Sequence, residues 1–443
     1  MRLILALFPM VLVAQDGFGY IISFGFLLNA KNLLLAGAIL LVLIRIIRKS
    51  RFRVELPAIQ ALFAVRIGYA VLTWWVASFV VQYEQYPIVE NALFLKVLLI
   101  DYFLIFLAFF YGPRTEADVM FVLKALLAVV FLSQIFTVGE ATAILPTHFV
   151  TQDSTGRTNG LISHVNAYAL LTVLFIPVLV AAALGSRGIM RAVWWSAVLL
   201  SFFSLVLTFS RGAFVALVLG AAVWTYVFRR QLSSVEITRT VAAVAIILVA
   251  SGAYLATTRY GDVLYKRLTQ DTLNSQDVWD LSAGRTGIWV ALFDRMAETP
   301  ISFLTGFGWR AYWSLPHPLS PHNSYLEAWF DLGLPGLFCL IGTFLVAFTA
   351  VRRSARDAKG LLRLQLSAAV FGISAVAIGL FFGEWYEPWP YFCAYLGLTM
   401  RMTILAGGSP PAEERSGDVA GTGLPSSERR SERKQFGWSR PRV

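Results

Sequence analysis

The sequence predicts an all-α polytopic membrane protein, and three observations carry that prediction. Of 443 residues, 57% are hydrophobic and only 14% are charged, whereas a soluble chain carries about 25% charge. Apolar stretches of roughly 17–25 residues, the length that crosses a bilayer core, recur along the chain. The basic residues gather in clusters beside those stretches, as they do in cytoplasmic loops. A mean hydropathy of +0.67 agrees.

Taken in order, the apolar pattern places spans near 3–28, 32–47, 57–81, 92–111, 118–138, 164–184, 192–209, 212–229, 238–257, 323–350, 363–383 and 388–406. That makes about twelve transmembrane helices. Gln15, Asp16 and Gly17 interrupt the first stretch. Residues 2–14 also read as a signal-like apolar segment, but a single Arg and the lack of a small-x-small site favour one broken span. The second stretch is short, and its flanks or a thinner bilayer must compensate.

Arg45, Arg48, Lys49, Arg51 and Arg53 flank one span; Arg229, Arg230 and Arg239 form a second cluster; Arg352, Arg353, Arg356, Lys359 and Arg363 form a third. With the 45–55 loop in the cytoplasm, alternation puts all three clusters inside and both termini in the cytoplasm, as the positive-inside rule requires. Loops 81–91, 139–163, 257–322 and 383–388 fall outside. The formal charge of +11 therefore sets orientation and implies no nucleic acid partner. Cys339 and Cys393 lie in apolar stretches, too few for a disulfide framework, and are expected to pack as small hydrophobes.

The chain divides into N-terminal transmembrane helices over 1–256, a large extracytoplasmic loop over 257–322, C-terminal transmembrane helices over 323–406 and a tail over 407–443. Inside the loop, 282–300 predicts a helix with Ser282 as N-cap and Pro300 beyond its end. Ile288, Trp289, Leu292, Phe293 and Met296 form its apolar face, suited to the membrane surface or to other helices. The tail is rich in Gly, Pro, Ser and charge without periodicity, a disordered composition. Its Arg-rich end offers a contact for membrane lipids.

The sequence contains no phosphate-cradling glycine loop, dinucleotide fingerprint or zinc-protease motif. An extracytoplasmic enzyme of this kind needs a substrate that is already activated. In "TFSRGAFVALVLG" (208–220), Arg211 sits in a sharp outside turn. It reads either as an anchor for two helix ends or as a guanidinium that grips phosphate through parallel hydrogen bonds. Arg285, near a helix start, opposes the helix dipole, a mismatch that an anionic partner relieves.

Arg157, Asn159, His164 and Asn166 in "GRTNGLISHVNAYALL" (156–171) suit turn-making or substrate orientation. His148 and His317 read as bystanders in Pro-containing loops. His322 in "SPHNSYLEAWFDLGLPG" (320–336) stands at a helix entrance, where an imidazole can act as general base. Asn323, Glu327 and Asp331 on the following turns could tune it or bind sugar hydroxyls. Arg66 and Asp101 lie near mid-span and read as an ion pair holding two helices, with a transport pathway as the competing reading.

"TFSRGAFVAL", "AGRTGIW", "TGFGW" and "PHNSYLEAWFDLGLPGL", in this order around the large loop, resemble the family of O-antigen ligases and of O-antigen or exopolysaccharide polymerases in bacterial envelopes. "GRTNGLISHVNAYAL" is similar too, with Val165 where Pro is common. The resemblance covers about 156–345, the family's core. It implies a GT-C type fold in the inner membrane, with a glycosyltransferase site on the periplasmic face. A glycan would pass from undecaprenyl pyrophosphate to a hydroxyl of lipid A core or of a growing polysaccharide, with inversion and without a cofactor or metal. Arg211 and Arg285 would hold pyrophosphate, and His322 would activate the acceptor. Ligase and polymerase remain alternatives, and a polysaccharide carrier or flippase is the alternative of another class.

Overall fold

The computed structural model describes residues 1–18, 29–48, 54–142, 144–145, 157–161, 164–231, 246, 249–254, 256–257, 261–265, 284–314, 320–383 and 389–407. Among them there is no β-strand, and the chain is an all-α integral membrane protein. Its helices are α1 (Arg2–Phe18), α2 (Ala30–Ile47), α3 (Pro57–Val81), α4 (Ile88–Tyr111), α5 (Glu116–Ala141), α6 (Val165–Leu184), α7 (Gly188–Leu207) and α8 (Arg211–Phe228). After the short α9 (Gly261–Tyr265) come α10 (Arg285–Glu298), α11 (Ser302–Thr305), α12 (Ser324–Asp357), α13 (Gly360–Gly379) and α14 (Trp389–Ala406).

Nine of these helices are long and apolar enough to cross a membrane: α2 to α8, α12 and α13. The sequence expected about twelve crossings. The difference has three sources. The apolar part of α1 is short, α14 has eighteen residues including Arg401, and the span expected at 238–257 lies mostly outside the described residues. The tail expected over 407–443 also lies outside them, apart from Gly407.

The core is built around α6, which packs against α7 and α13, while α14 packs against α4 and α13 against α8. Lipid gives little hydrophobic reason for helices to associate, so close backbone approach at small residues matters. Gly372 and Gly379 of α13 meet Leu174 and Leu170 of α6, and Gly397 of α14 meets Phe106 and Phe109 of α4. Both free cysteines are buried, as expected.

α3 and α4 each contain a π-helical turn, Ala77–Val81 and Lys96–Ile100. The second corrects the expected Arg66–Asp101 pair. A wider turn brings residues five apart onto one face, and Lys96 Nζ reaches Asp101 Oδ2 at 2.8 Å. Asp101 is thus neutralised within its own helix, and Arg66 is left for other company.

α12 departs most from expectation. Thirty-four residues at about 1.5 Å each would reach about 50 Å, well beyond a hydrocarbon core of about 30 Å. The helix is broken at Gly333, whose φ of 60° and ψ of −160° lie outside helical geometry. A half-helix, 324–332, therefore precedes the long segment. Gly333 packs backbone to backbone against Leu304 and Gly306, leaving no room for a Cβ on either glycine. Hydrogen bonds from Phe307 N to Phe330 O and from Gly308 N to Asp331 O, each 2.9 Å, complete the seam. The glycines of "TGFGW" and of "DLGLPG" thus serve one another.

Candidate active site

Two turns that precede helices carry the candidate residues, and each contains a residue in left-handed backbone conformation. Phe209 has φ 47° ahead of Ser210 and Arg211, and His322 has φ 47° ahead of the α12 cap. Non-glycine residues held there cost of order 1–3 kcal/mol and concentrate at functional sites.

The first turn joins α7 to α8. Arg157 Nε donates to Thr208 O at 2.8 Å and its Nη2 to Asn166 Oδ1 at 3.0 Å. Ser210 Oγ donates to the same Asn166 oxygen at 2.9 Å. Arg157 and Asn166 thereby brace the turn from which Arg211 starts α8. Asn159 is buried in the adjacent 157–161 stretch, where Thr158 N approaches Leu207 O at 3.5 Å.

The second turn enters α12. Asn323 Oδ1 accepts from Tyr325 N and Leu326 N at 3.0 and 3.1 Å, an N-cap that satisfies orphan helix donors. That is a structural duty for a residue expected to orient substrate. Ser324 N donates to Leu380 O at 2.9 Å and Ser324 Oγ to Gly383 O at 3.2 Å, fixing the half-helix to the end of α13.

α10 links the two turns. It starts at Arg285, with Gly284 as N-cap at φ 78° in place of the expected Ser282, which lies outside the described residues. Arg285 Nη1 donates to Phe382 O at 2.6 Å, and the Phe382 side chain packs against Gly212, next to Arg211. Trp289 Nε1 donates to Pro321 O at 2.8 Å, beside His322. Leu292 and Met296 pack with Tyr312, Leu326 and Phe330. The apolar face of α10 is thus committed to other helices.

Arg285 and His322 act on one another electrostatically. Burial, followed by the Arg285 guanidinium and the His164 imidazole, holds His322 below the ordinary histidine value. A lowered value keeps the ring neutral at pH 7, the state a general base requires. His164 is an exposed residue at the start of α6, and its influence on His322 was not legible in the sequence. Phe382, which joins Arg285 to the Arg211 turn through its carbonyl and ring, was missed because one Phe among thirty-four carries no signal.

Glu327 and Asp331 line a different space, a cavity of about 60 Å³ shared with Arg66, Ser324, Trp309 and Trp389. Asp331 is 2% exposed, and its Oδ2 accepts from Arg310 N at 2.9 Å. His148 and His317 lie outside the described residues.

Residues 196–341 match the sequence model of the family described as O-Antigen ligase. No curated protein matches the chain. The matched segment contains Arg211, Arg285, His322, Glu327 and Asp331, and it begins beyond Arg157, Asn159 and Asn166. Over residues 196–341 the chain is thus similar to the O-antigen ligase family, in agreement with the resemblance carried by its motifs.

Proposed function

We propose that the chain is a periplasmic-facing glycosyltransferase of the inner membrane. It moves a glycan from undecaprenyl pyrophosphate to an acceptor hydroxyl with inversion at the anomeric carbon. Arg211 and Arg285 bind the pyrophosphate, and their guanidiniums stabilise the charge that develops as it leaves. His322, kept neutral by burial and by Arg285, takes the proton of the acceptor hydroxyl. No metal takes part in this reading. It includes a GT-C type fold, about twelve spans, cytoplasmic termini and a large periplasmic loop over 257–322. Arg157 and Asn166 orient the donor side indirectly, by holding the Arg211 turn.

The observation that carries the reading is the link from the Arg211 turn through Phe382 to Arg285, with His322 in electrostatic contact, inside a segment that matches the ligase family. A carrier remains the second reading, because a broken helix and charges within the membrane region are what carriers use. The test is transfer in liposomes from undecaprenyl-pyrophosphate-linked glycan with a chelator present. Glycosylated acceptor is the expected product, whereas movement of donor across the bilayer without transfer establishes the carrier. A deletion strain then separates the activities: intact polymer that is not attached indicates a ligase, and single repeat units indicate a polymerase.

A further inference from the structure

The half-helix 324–332 has a second polar face. Ser324, Glu327, Ala328, Asp331 and Leu332 follow the helical repeat and line the cavity of about 60 Å³. Opposite them, α3 contributes Arg66 and α4 contributes Tyr102, with Trp309 and Trp389 also in the wall. The Glu327 carboxylate acts on the Arg66 guanidinium and on Asp331.

Two polar atoms here are buried without a protein partner: Arg66 Nε and Asp331 Oδ1. Buried polar atoms are nearly always hydrogen-bonded, so these atoms call for an occupant that both donates and accepts. Charge narrows the choice. Two carboxylates repel an anion such as pyrophosphate, and the Glu327 carboxylate already faces the Arg66 guanidinium. A neutral hydroxyl-bearing group satisfies all three side chains, because a hydroxyl donates to carboxylate and accepts from guanidinium. The indole walls offer the apolar faces that accompany such polar groups in ligand sites. The volume is several times the ~10–15 Å³ that one water needs, room for one edge of a sugar ring.

We propose that this cavity is the acceptor subsite. One edge of the acceptor sugar enters between Arg66, Glu327 and Asp331, in a cavity that shares no lining residue with the Asn166–Ser210–Phe382 pocket. Its label as acceptor rests on the transferase reading above, but the binding itself can be read without donor. His322, two residues before Ser324, then stands between donor and acceptor.

The test is saturation-transfer NMR on the full chain in detergent, with methyl glycosides of glucose, galactose, mannose, N-acetylglucosamine and rhamnose as probes and no donor. Wild type should transfer saturation to at least one of them. Glu327→Gln and Arg66→Met should lose it by about tenfold, the scale of one charge-assisted hydrogen bond, while Arg295→Gln, at an exposed position of α10, retains it. Size exclusion and thermal unfolding establish that each variant is folded; if Arg66→Met is not, the isosteric Glu327→Gln decides alone. Unchanged signal in Glu327→Gln, or no signal from wild type with any probe, means that the cavity holds water only, and overturns the proposal. Sugar binding that persists where no lipid-linked donor supports transfer would leave the subsite standing and remove the transferase reading.

Discussion

Two regions, the α7–α8 turn and the cavity beside α3, satisfy their polar groups differently. Around the turn that precedes Arg211, Arg157 is tied to Thr208 and Asn166, Ser210 to Asn166, and Arg285 to Phe382 O. On the α3 side, Arg66 Nε and Asp331 Oδ1 have no protein partner. The first arrangement resists rearrangement, which suits a site that must hold donors against developing charge. The second leaves its polar demand for whatever enters. Variants on the α7–α8 side should therefore weaken turnover, whereas those on the α3 side should weaken acceptor recognition.

The largest break in this comparison should come at the turn that enters α12. His322→Ala is expected to leave the protein folded and donor binding intact, while transfer falls by about two to four orders of magnitude, the usual span for a general base. Single-turnover transfer with preformed donor complex measures it directly. Near-normal transfer would pass the role to Glu327 or Asp331, carboxylates on the same half-helix.

Next in size are Arg211→Lys and Arg285→Lys. Lysine keeps the charge but lacks the planar fork that meets a phosphate with two parallel hydrogen bonds. Losing one such preorganised contact should lower kcat by about two to three orders of magnitude. Full activity in both variants, assayed with lipid-linked donor in liposomes, would refute the assignment of pyrophosphate to this side.

The site and the fold were legible in the sequence to different depths. Arg211 and His322 stand out because each is a polar residue in a turn beside a long apolar run, and Arg285 because a cation at a helix start opposes the helix dipole. The helices followed from their length and composition. The break in α12 did not, since "DLGLPG" keeps its apolar content through Gly333 and only the approach of Leu304 and Gly306 makes a bend necessary. The partner of Asp101 was hidden for a related reason. Lys96 lies five residues away, off its face in an α-helix and on it only in the π turn. Asn323 and Asp331 suggest substrate orientation because both bear polar groups near His322. Their hydrogen bonds to Tyr325 N, Leu326 N and Arg310 N show backbone duties that spacing alone does not reveal.

A smaller effect should follow from loosening the brace while leaving the guanidiniums in place. Asn166→Ala removes the shared acceptor of Arg157 and Ser210. A polar partner lost at about 1–3 kcal/mol, transmitted in part to the position of Arg211, should lower kcat by about tenfold. Saturation transfer from sugar probes should be unaffected. Loss of sugar binding in Asn166→Ala would show that the α7–α8 turn and the cavity beside α3 are not separate.

The smallest expected effect is a displacement of pH dependence, and it isolates the charge of Arg285 from its geometry. His322 sits below the ordinary histidine value through burial first, then through Arg285, then through His164. A general base works when deprotonated, so kcat/KM rises with pH through an ascending limb set by His322. The positive charge of Arg285 disfavours the imidazolium and places that limb at lower pH. Arg285→Gln removes the charge, the imidazolium becomes easier to form, and the limb should move to higher pH. Arg285→Lys keeps the charge and should leave the limb near its wild-type position even though turnover drops. His164→Gln should move it upward too, by less than Arg285→Gln, because His164 is the lesser influence. Profiles of kcat/KM for the three variants and wild type, collected with one donor preparation, give the comparison. A limb that stays in place in Arg285→Gln would mean that Arg285 does not share an electrostatic site with His322, and the donor and acceptor sides would then need a different meeting point.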